Sequence, residues 1–263
     1  MTWRGSVARS AVFLTALAAL CAFAVLTPIG QRWDAASLGW FGEWPIWVVA
    51  PLAWARDVAP VMLLAGMLVC MVIAVVRGRF VGPIVALAGV LMAALWNLLL
   101  RDVLLVRPDY GTHAYDFNTF PSGHAAVAVM AVVGISILLP ASAPRRAITA
   151  AAGTLAALAA IGSLAAFAHR ASDVVGGVLL AGALAAWAAL AATRTAGSMR
   201  CAARATPAVT ALAVAALALL AVGVRIADGP RLLDALVFSA VVAALIAVAI
   251  EPGVRPEPTP VAA

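Results

Sequence analysis

Eight long apolar segments dominate this sequence and limit what it can fold into. They cover residues 7–27, 58–76, 81–100, 123–140, 147–168, 172–193, 207–225 and 232–250. A helix needs about 20 mostly apolar residues to cross the hydrocarbon core of a bilayer, and the chain is 65% hydrophobic and only 11% charged. We therefore predict an all-α fold, a polytopic transmembrane helical bundle.

The distribution of arginine predicts the orientation of this bundle. The formal net charge is +6, but the basic residues are concentrated in short gaps between apolar segments, as topology signals are, so we predict no nucleic-acid partner. We interpret the first segment as a retained helix and not as a cleaved signal peptide. If the N-terminus is cytoplasmic, the inner connections hold Arg77, Arg79, Arg145, Arg146, Arg194, Arg200 and Arg204, as the positive-inside bias predicts. The connections 28–57, 101–122 and 169–171 lie on the non-cytoplasmic side of the inner (plasma) membrane.

The segment 28–57 holds five of the eight tryptophans of the chain. Indole rings favour the headgroup region of a bilayer, which predicts that this segment anchors the protein at the interface. A cover over a lipid-binding cleft is the alternative, and the two roles are compatible.

Ionisable residues at the non-cytoplasmic helix ends mark a candidate site. Two of the three histidines, His124 and His169, lie at such ends, whereas the third, His113, lies in a loop. The same side holds Arg101, Arg107, Arg170, Ser122 and Asp173. Charged groups at a membrane boundary indicate function because they are costly to keep there.

The residue types in this cluster suit phosphate chemistry. Guanidinium groups bind phosphate oxygens in a bidentate manner, and Ser122 and Gly123 begin a helix whose N–H groups attract anions. One histidine could attack phosphorus while the other protonates the leaving oxygen. Asp173 follows His169 by four residues and could orient its imidazole.

Three short elements of the sequence resemble the signature of the type-2 phosphatidic acid phosphatase superfamily. They are Arg107-Pro108, then Pro121-Ser122-Gly123-His124, then His169 with Asp173 four residues on. The resemblance implies that His169 is the nucleophile, that Asp173 orients it and that His124 is the general acid. It also implies that Arg107, Ser122 and Gly123 bind phosphate and that no metal or other cofactor takes part.

The chain departs from that family pattern at two cationic positions. The family has Lys where this chain has Leu100, and Arg where it has Ser163. Arg101 and Arg170 are the candidate replacements, since Arg101 follows Leu100 directly and Arg170 follows the predicted nucleophile.

Together these features predict an integral membrane phosphatase that hydrolyses a lipid phosphomonoester or diphosphate, as in cell-envelope lipid turnover, through a phosphohistidine. A phosphotransferase acting on an acceptor alcohol and a weakened lipid-phosphate binding protein are the alternatives. The predicted organisation is a first helix with the Trp-rich loop at 1–57, a catalytic transmembrane core at 58–193 that makes six helices together with the first, two further helices at 194–251 and a disordered tail at 252–263. The identity of the lipid and the oligomeric state stay open.

Overall fold

The computed structural model describes residues 2–111, 117–140, 142–195 and 231–250, and within these ranges every regular element is a helix. In chain order the helices are α1 (Trp3–Ala24), α2 (Pro28–Ser37), α3 (Ile46–Val76), α4 (Val81–Leu98), α5 (Gly123–Leu138), α6 (Ala143–Ala165), α7 (Ala171–Thr195) and α8 (Arg231–Ile250). A π-helical turn, Leu99–Leu104, extends α4. Six of the described helices are long and apolar enough to cross a membrane. The predicted all-α membrane bundle is confirmed, while the predicted helix at 207–225 and the tail at 252–263 lie outside the described residues.

Hydroxyl side chains define where several of the helices begin. Thr2, Thr27, Ser122 and Ser142 each precede a helix and accept a hydrogen bond from the backbone N–H three residues further on. Such caps satisfy one of the N–H groups that the first turn of a helix leaves without a partner.

The structure corrects the predicted start of the second apolar segment. The helix begins at Ile46 and not at residue 58, and α2 occupies part of the region predicted to be a loop. Pro51 and the pair Arg56-Asp57 interrupt the apolar pattern in the first half of α3, which is why hydropathy detects only the second half. Prolines are tolerated within membrane helices when neighbouring groups satisfy the freed carbonyls.

Helix α5 lies at the centre of the bundle, with α3, α4, α6, α7 and α8 packed around it. It has 16 residues, which gives a length of about 24 Å, short of the roughly 30 Å of a hydrocarbon core. Ala126, Ala128, Val129 and Val132 are completely buried. Since protein and not lipid surrounds α5, its length does not have to match the thickness of the bilayer.

The five tryptophans of the segment 28–57 divide into two groups. Trp47 and Trp54 on α3 are 74% and 67% exposed, as interfacial anchors would be. In contrast, Trp40 is buried, and its ring lies 5.6 Å from that of Trp33 and 5.9 Å from that of Phe238 on α8. Part of the aromatic segment therefore packs within the protein.

Candidate active site

The turn Pro121-Ser122-Gly123-His124 brings the first histidine to the start of α5. Ser122 caps the helix through a weak contact of 3.5 Å with the N–H of Ala125. The side-chain amide of Asn97 on α4 donates a hydrogen bond to the carbonyl of Pro121. A side chain at position 123 would collide with Asn97, because an ideal Cβ there would lie 2.7 Å from Asn97 Oδ1. Asn97 thus packs against the turn and holds it in place.

The second histidine lies in the short connection between α6 and α7. The N–H groups of Ala168 and His169 both donate to the carbonyl of Ser163, which closes this connection tightly. His169 Nδ1 lies 3.6 Å from Asp173 Oδ2. An imidazole whose Nδ1 faces a carboxylate keeps Nε2 for other chemistry.

A network of hydrogen bonds holds the carboxylate of Asp173. Its Oδ2 accepts hydrogen bonds from Thr119 Oγ1 at 2.5 Å and from the N–H of Arg170 at 2.9 Å. Arg170 Nη1 in turn donates to Thr119 Oγ1 at 2.9 Å. Asp173 is fully buried, so its orientation is set by these partners and not by solvent.

The elements that carry the two histidines contact each other directly. The N–H of Ser122 donates to the carbonyl of Asp173 at 2.7 Å. An ideal Cβ at Gly177 would lie only 2.3 Å from the carbonyl oxygen of Ser122, so α7 can approach this turn only because position 177 lacks a side chain. The imidazole centroids of His124 and His169 are 6.3 Å apart as a result.

Both histidines line a cavity of about 900 Å³, within the size range of binding sites for small molecules. Its other lining residues are Arg56, Pro60, Ala94, Asn97, Leu98, Arg101, Asp102, Phe117, Asn118, Thr119, Gly123, Val127 and Ala168. The cavity therefore combines two imidazoles and two guanidinium groups with apolar walls from α3, α4 and α5.

The predicted phosphate ligands divide between the wall of this cavity and the protein interior. Arg101 and Gly123 line the cavity. Arg107 instead forms a buried ion pair with Asp34, with 3.1 Å between Nη2 and Oδ2, and also donates to the carbonyl of Ala24. Arg170 is buried against Thr119. Ser122 is buried too, so these three residues do not line the cavity.

Arg101 lines the cavity and forms an ion pair with the carboxylate of Asp102. Its Nε and Nη2 donate to the two oxygens of Asp102 at 2.7 and 2.9 Å. Both side chains are exposed by more than a third, and this neighbouring charge offsets that of the guanidinium.

Helix α2 supports the site in a way that the sequence analysis missed. Asp34 Oδ1 accepts from the N–H of Ser172, and Ser37 Oγ accepts from the N–H of Ala171, so α2 caps the start of α7. Burial and the nearby Asp173 carboxylate raise the pKa of Asp34 to about 6, although Arg107 opposes this shift. The spacing of Gln31, Asp34 and Ser37, every third residue along a helix, was the available signal of a buried polar face.

The described residues contain no group of three or more His, Cys, Asp or Glu side chains placed to hold a metal ion. Metal-independent chemistry stays a prediction, for which a chelator is the test.

Comparison with known proteins gives one match. A sequence model described as the PAP2 superfamily matches residues 84–197, which run from α4 to the end of α7 and contain all three signature elements. Searches of curated proteins and of solved structures found no match. Helices α1, α2, α3 and α8 lie outside the matched range.

Proposed function

We propose that the protein hydrolyses a phosphomonoester or diphosphate carried by a membrane lipid, because residues 84–197 match the PAP2 superfamily, whose members are generally phosphatases. The observation that carries this proposal is the pair His124 and His169, with ring centroids 6.3 Å apart at the wall of one cavity. Both rings can contact one phosphoryl group bound in this cavity.

The proposed reaction has two steps. His169 Nε2 attacks phosphorus while the bond from phosphorus to the leaving oxygen breaks, and His124 donates its proton to that oxygen. Water then attacks the phosphohistidine, His124 accepts the proton of the water, and inorganic phosphate leaves as the nitrogen–phosphorus bond breaks. Asp173, beside Nδ1 of His169, stabilises the imidazole as positive charge develops on it.

The surroundings of the cavity support a lipid as the substrate. Its apolar walls include Pro60 of α3 together with Ala94 and Leu98 of α4. These two helices are among the least buried of the bundle, and Val61, Ile84 and other apolar side chains are exposed on them. A phosphate group at the histidines could thus keep its hydrocarbon chain next to the bilayer.

The polarity of the bundle supports a site on the non-cytoplasmic side. Arg79 donates to the carbonyl of Leu138, and Arg145 donates to Ser136, so both arginines contact the last turn of α5. His124 lies at the other end of this helix, about 21 Å away at 1.5 Å per residue. Arginine-rich connections favour the cytoplasm, and this supports a site at the opposite, non-cytoplasmic end of α5.

A lipid-phosphate binding protein is the second candidate. It is favoured by the position of Arg107 and Arg170, two predicted phosphate ligands that do not line the cavity. Such a protein would bind the phosphate group and release no product.

The test is phosphate release by the purified full-length protein in detergent from a panel of lipid phosphates and diphosphates, with and without a chelator. We expect release that survives the chelator and is abolished by His169→Asn. His113→Asn is the matched control because it removes a histidine that belongs to no signature element. Phosphate binding without release, unaffected by His169→Asn, would favour the binding protein, and product formation only with an added alcohol would indicate a transferase.

Two further measurements test the individual roles. Brief reaction with a radiolabelled substrate should leave label on the protein that is stable to alkali and released by acid, as expected for phosphohistidine, and His169→Asn should remove it. His124→Asn should slow substrates with poor leaving groups more than those with good ones. Equal losses for both would contradict the role of His124 as the acid.

A further inference from the structure

Arg56 lines the candidate active-site cavity from a helix that the family match does not reach. It lies on α3, whereas the matched range begins at residue 84 in α4. It shares the cavity wall with His124 and His169. No signature element includes it, and the sequence analysis placed it in a loop.

The backbone of Arg56 lies next to the position where the family has an arginine. Gly162 directly precedes Ser163. An ideal Cβ on Gly162 would lie 2.0 Å from the carbonyl oxygen of Leu52 and 3.2 Å from the backbone nitrogen of Arg56. Helices α3 and α6 are therefore in backbone contact here. The backbone of Arg56 on α3 therefore lies against residue 162 of α6, one position before Ser163.

The charge of Arg56 is less compensated than that of the other arginine at the cavity wall. Its Nε lies 3.7 Å from a carboxylate oxygen of Asp57, whose side chain is 66% exposed, and a solvated pair at this distance is weak. Nε itself is buried and has no hydrogen-bond partner in the described part of the chain. Arg101, by comparison, makes two short hydrogen bonds to Asp102.

Arg56 is also close enough to His124 for the two groups to interact electrostatically. A phosphate that contacts the two histidines in this cavity would therefore lie within the field of this guanidinium. Arginine suits that role because its planar fork can donate two hydrogen bonds to one phosphate.

We infer that Arg56 binds the substrate phosphate and replaces, from α3, the arginine that the family carries at the position of Ser163. This inference rests on the proposed function for the identity of the substrate. It explains how the site keeps a cation although Arg170 is buried against Thr119.

The first experiment compares Arg56→Gln with Arg32→Gln, a matched control that removes one arginine from an exposed position on α2. Loss of one charge-assisted contact to a transferring phosphoryl group lowers the rate by about 30- to 1000-fold. We expect such a fall in kcat/KM for Arg56→Gln, a smaller fall for Arg56→Lys, and less than a twofold change for the control. Equal values for Arg56→Gln and the control would overturn the inference.

The second experiment measures binding without turnover. Inorganic phosphate is added to each variant, and the dissociation constant is obtained from the rise in the unfolding temperature. We expect at least a tenfold weaker affinity for Arg56→Gln than for Arg32→Gln, and we expect Ser163→Arg in the Arg56→Gln background to recover part of it. Unchanged affinity in Arg56→Gln, or no phosphate binding by the wild type, would refute the inference.

The two experiments separate this inference from the proposed function. If no lipid phosphate is hydrolysed but phosphate binding depends on Arg56, the phosphatase proposal fails and the role of Arg56 stands. If hydrolysis depends on His169 but neither measurement responds to Arg56→Gln, the phosphatase proposal stands and Arg56 has no role in binding phosphate.

Discussion

Replacing Gly177 by alanine should separate the two halves of the candidate active site. The added Cβ would lie 2.3 Å from the carbonyl oxygen of Ser122 and 3.1 Å from the Cβ of Ala125. Real Cβ contacts are essentially never below 3.0 Å, so α7 and the Ser122 turn must move apart by about 0.7 Å. The obstacle is backbone, which cannot rotate away as a flexible side chain can.

Both stability and turnover should respond to this displacement. Overpacking a well-packed interior costs about 1–3 kcal/mol. Because α7 carries Asp173 and the Ser122 turn leads into His124, the same movement changes the distance between the groups that we propose act on phosphorus. A misplacement of about 1 Å can cost roughly 100-fold in rate, so we expect kcat to fall by about 10- to 100-fold.

Gly66→Ala is the matched control for this substitution. Gly66 also lies within a membrane helix, but the nearest atom to its added Cβ would be Ile135 Cδ1 at 3.8 Å, an ordinary contact. The assay is phosphate release together with the thermal unfolding temperature in the same detergent. If Gly177→Ala and Gly66→Ala have the same unfolding temperature and the same kcat, the close approach of α7 does not position the site and the reasoning is refuted.

Three other perturbations test the buried polar network. Arg107→Gln should lower the free energy of unfolding by about 3–5 kcal/mol even without substrate, since it leaves the buried charge of Asp34 without its ion pair; an unchanged unfolding temperature would indicate that Arg107 serves substrate binding alone. Thr119→Val removes the hydroxyl that donates to Asp173 and accepts from Arg170, so we expect a loss of about 1–3 kcal/mol in stability and a fall in kcat, whereas Thr119→Ser should retain most of both. For Asp34, the folded-state pKa of about 6 exceeds the ordinary aspartate pKa of 3.8, so the folded protein holds this proton more tightly than the unfolded chain does. Its contribution to stability is complete below about pH 4 and is lost as the pH rises through about 6; thermal unfolding of wild type and Asp34→Asn across this range should show the difference, and a wild-type advantage that grows with pH would contradict the sign.

The predicted membrane helices agree best with the structure where lipid imposes the pattern. A spanning helix must satisfy the hydrogen bonds of its own backbone and present apolar side chains to lipid. The boundaries of predicted segments such as 81–100 and 232–250 therefore agree closely with those of α4 and α8. The predicted start of α3 was wrong because Arg56 and Asp57 interrupt the apolar pattern but lie inside the helix. The Arg56 side chain lines the cavity and the Asp57 side chain is exposed.

Local chemistry explains why the signature elements could be recognised. Ser122 caps α5 and Asp173 follows its histidine by one helical turn, and both relations depend on residues close together in the chain. The ion pair between Asp34 and Arg107 joins residues far apart in the chain. A spacing within one helix could suggest the buried face of α2 but could not identify its partner.

Hydropathy, helix capping and short signature strings are properties of contiguous residues, so they were enough to predict the membrane-bundle class, the helix next to each histidine and a resemblance that the PAP2 superfamily match over residues 84–197 supports. Which cations face the cavity depends instead on tertiary packing. Inside the protein, Arg107 pairs with Asp34 and Arg170 donates to Thr119. The backbone of Arg56 lies next to Gly162, one residue before Ser163, because the absence of a side chain at Gly162 allows α3 and α6 to touch. The direction of a long side chain depends on the partners that packing supplies, and those partners come from distant parts of the chain.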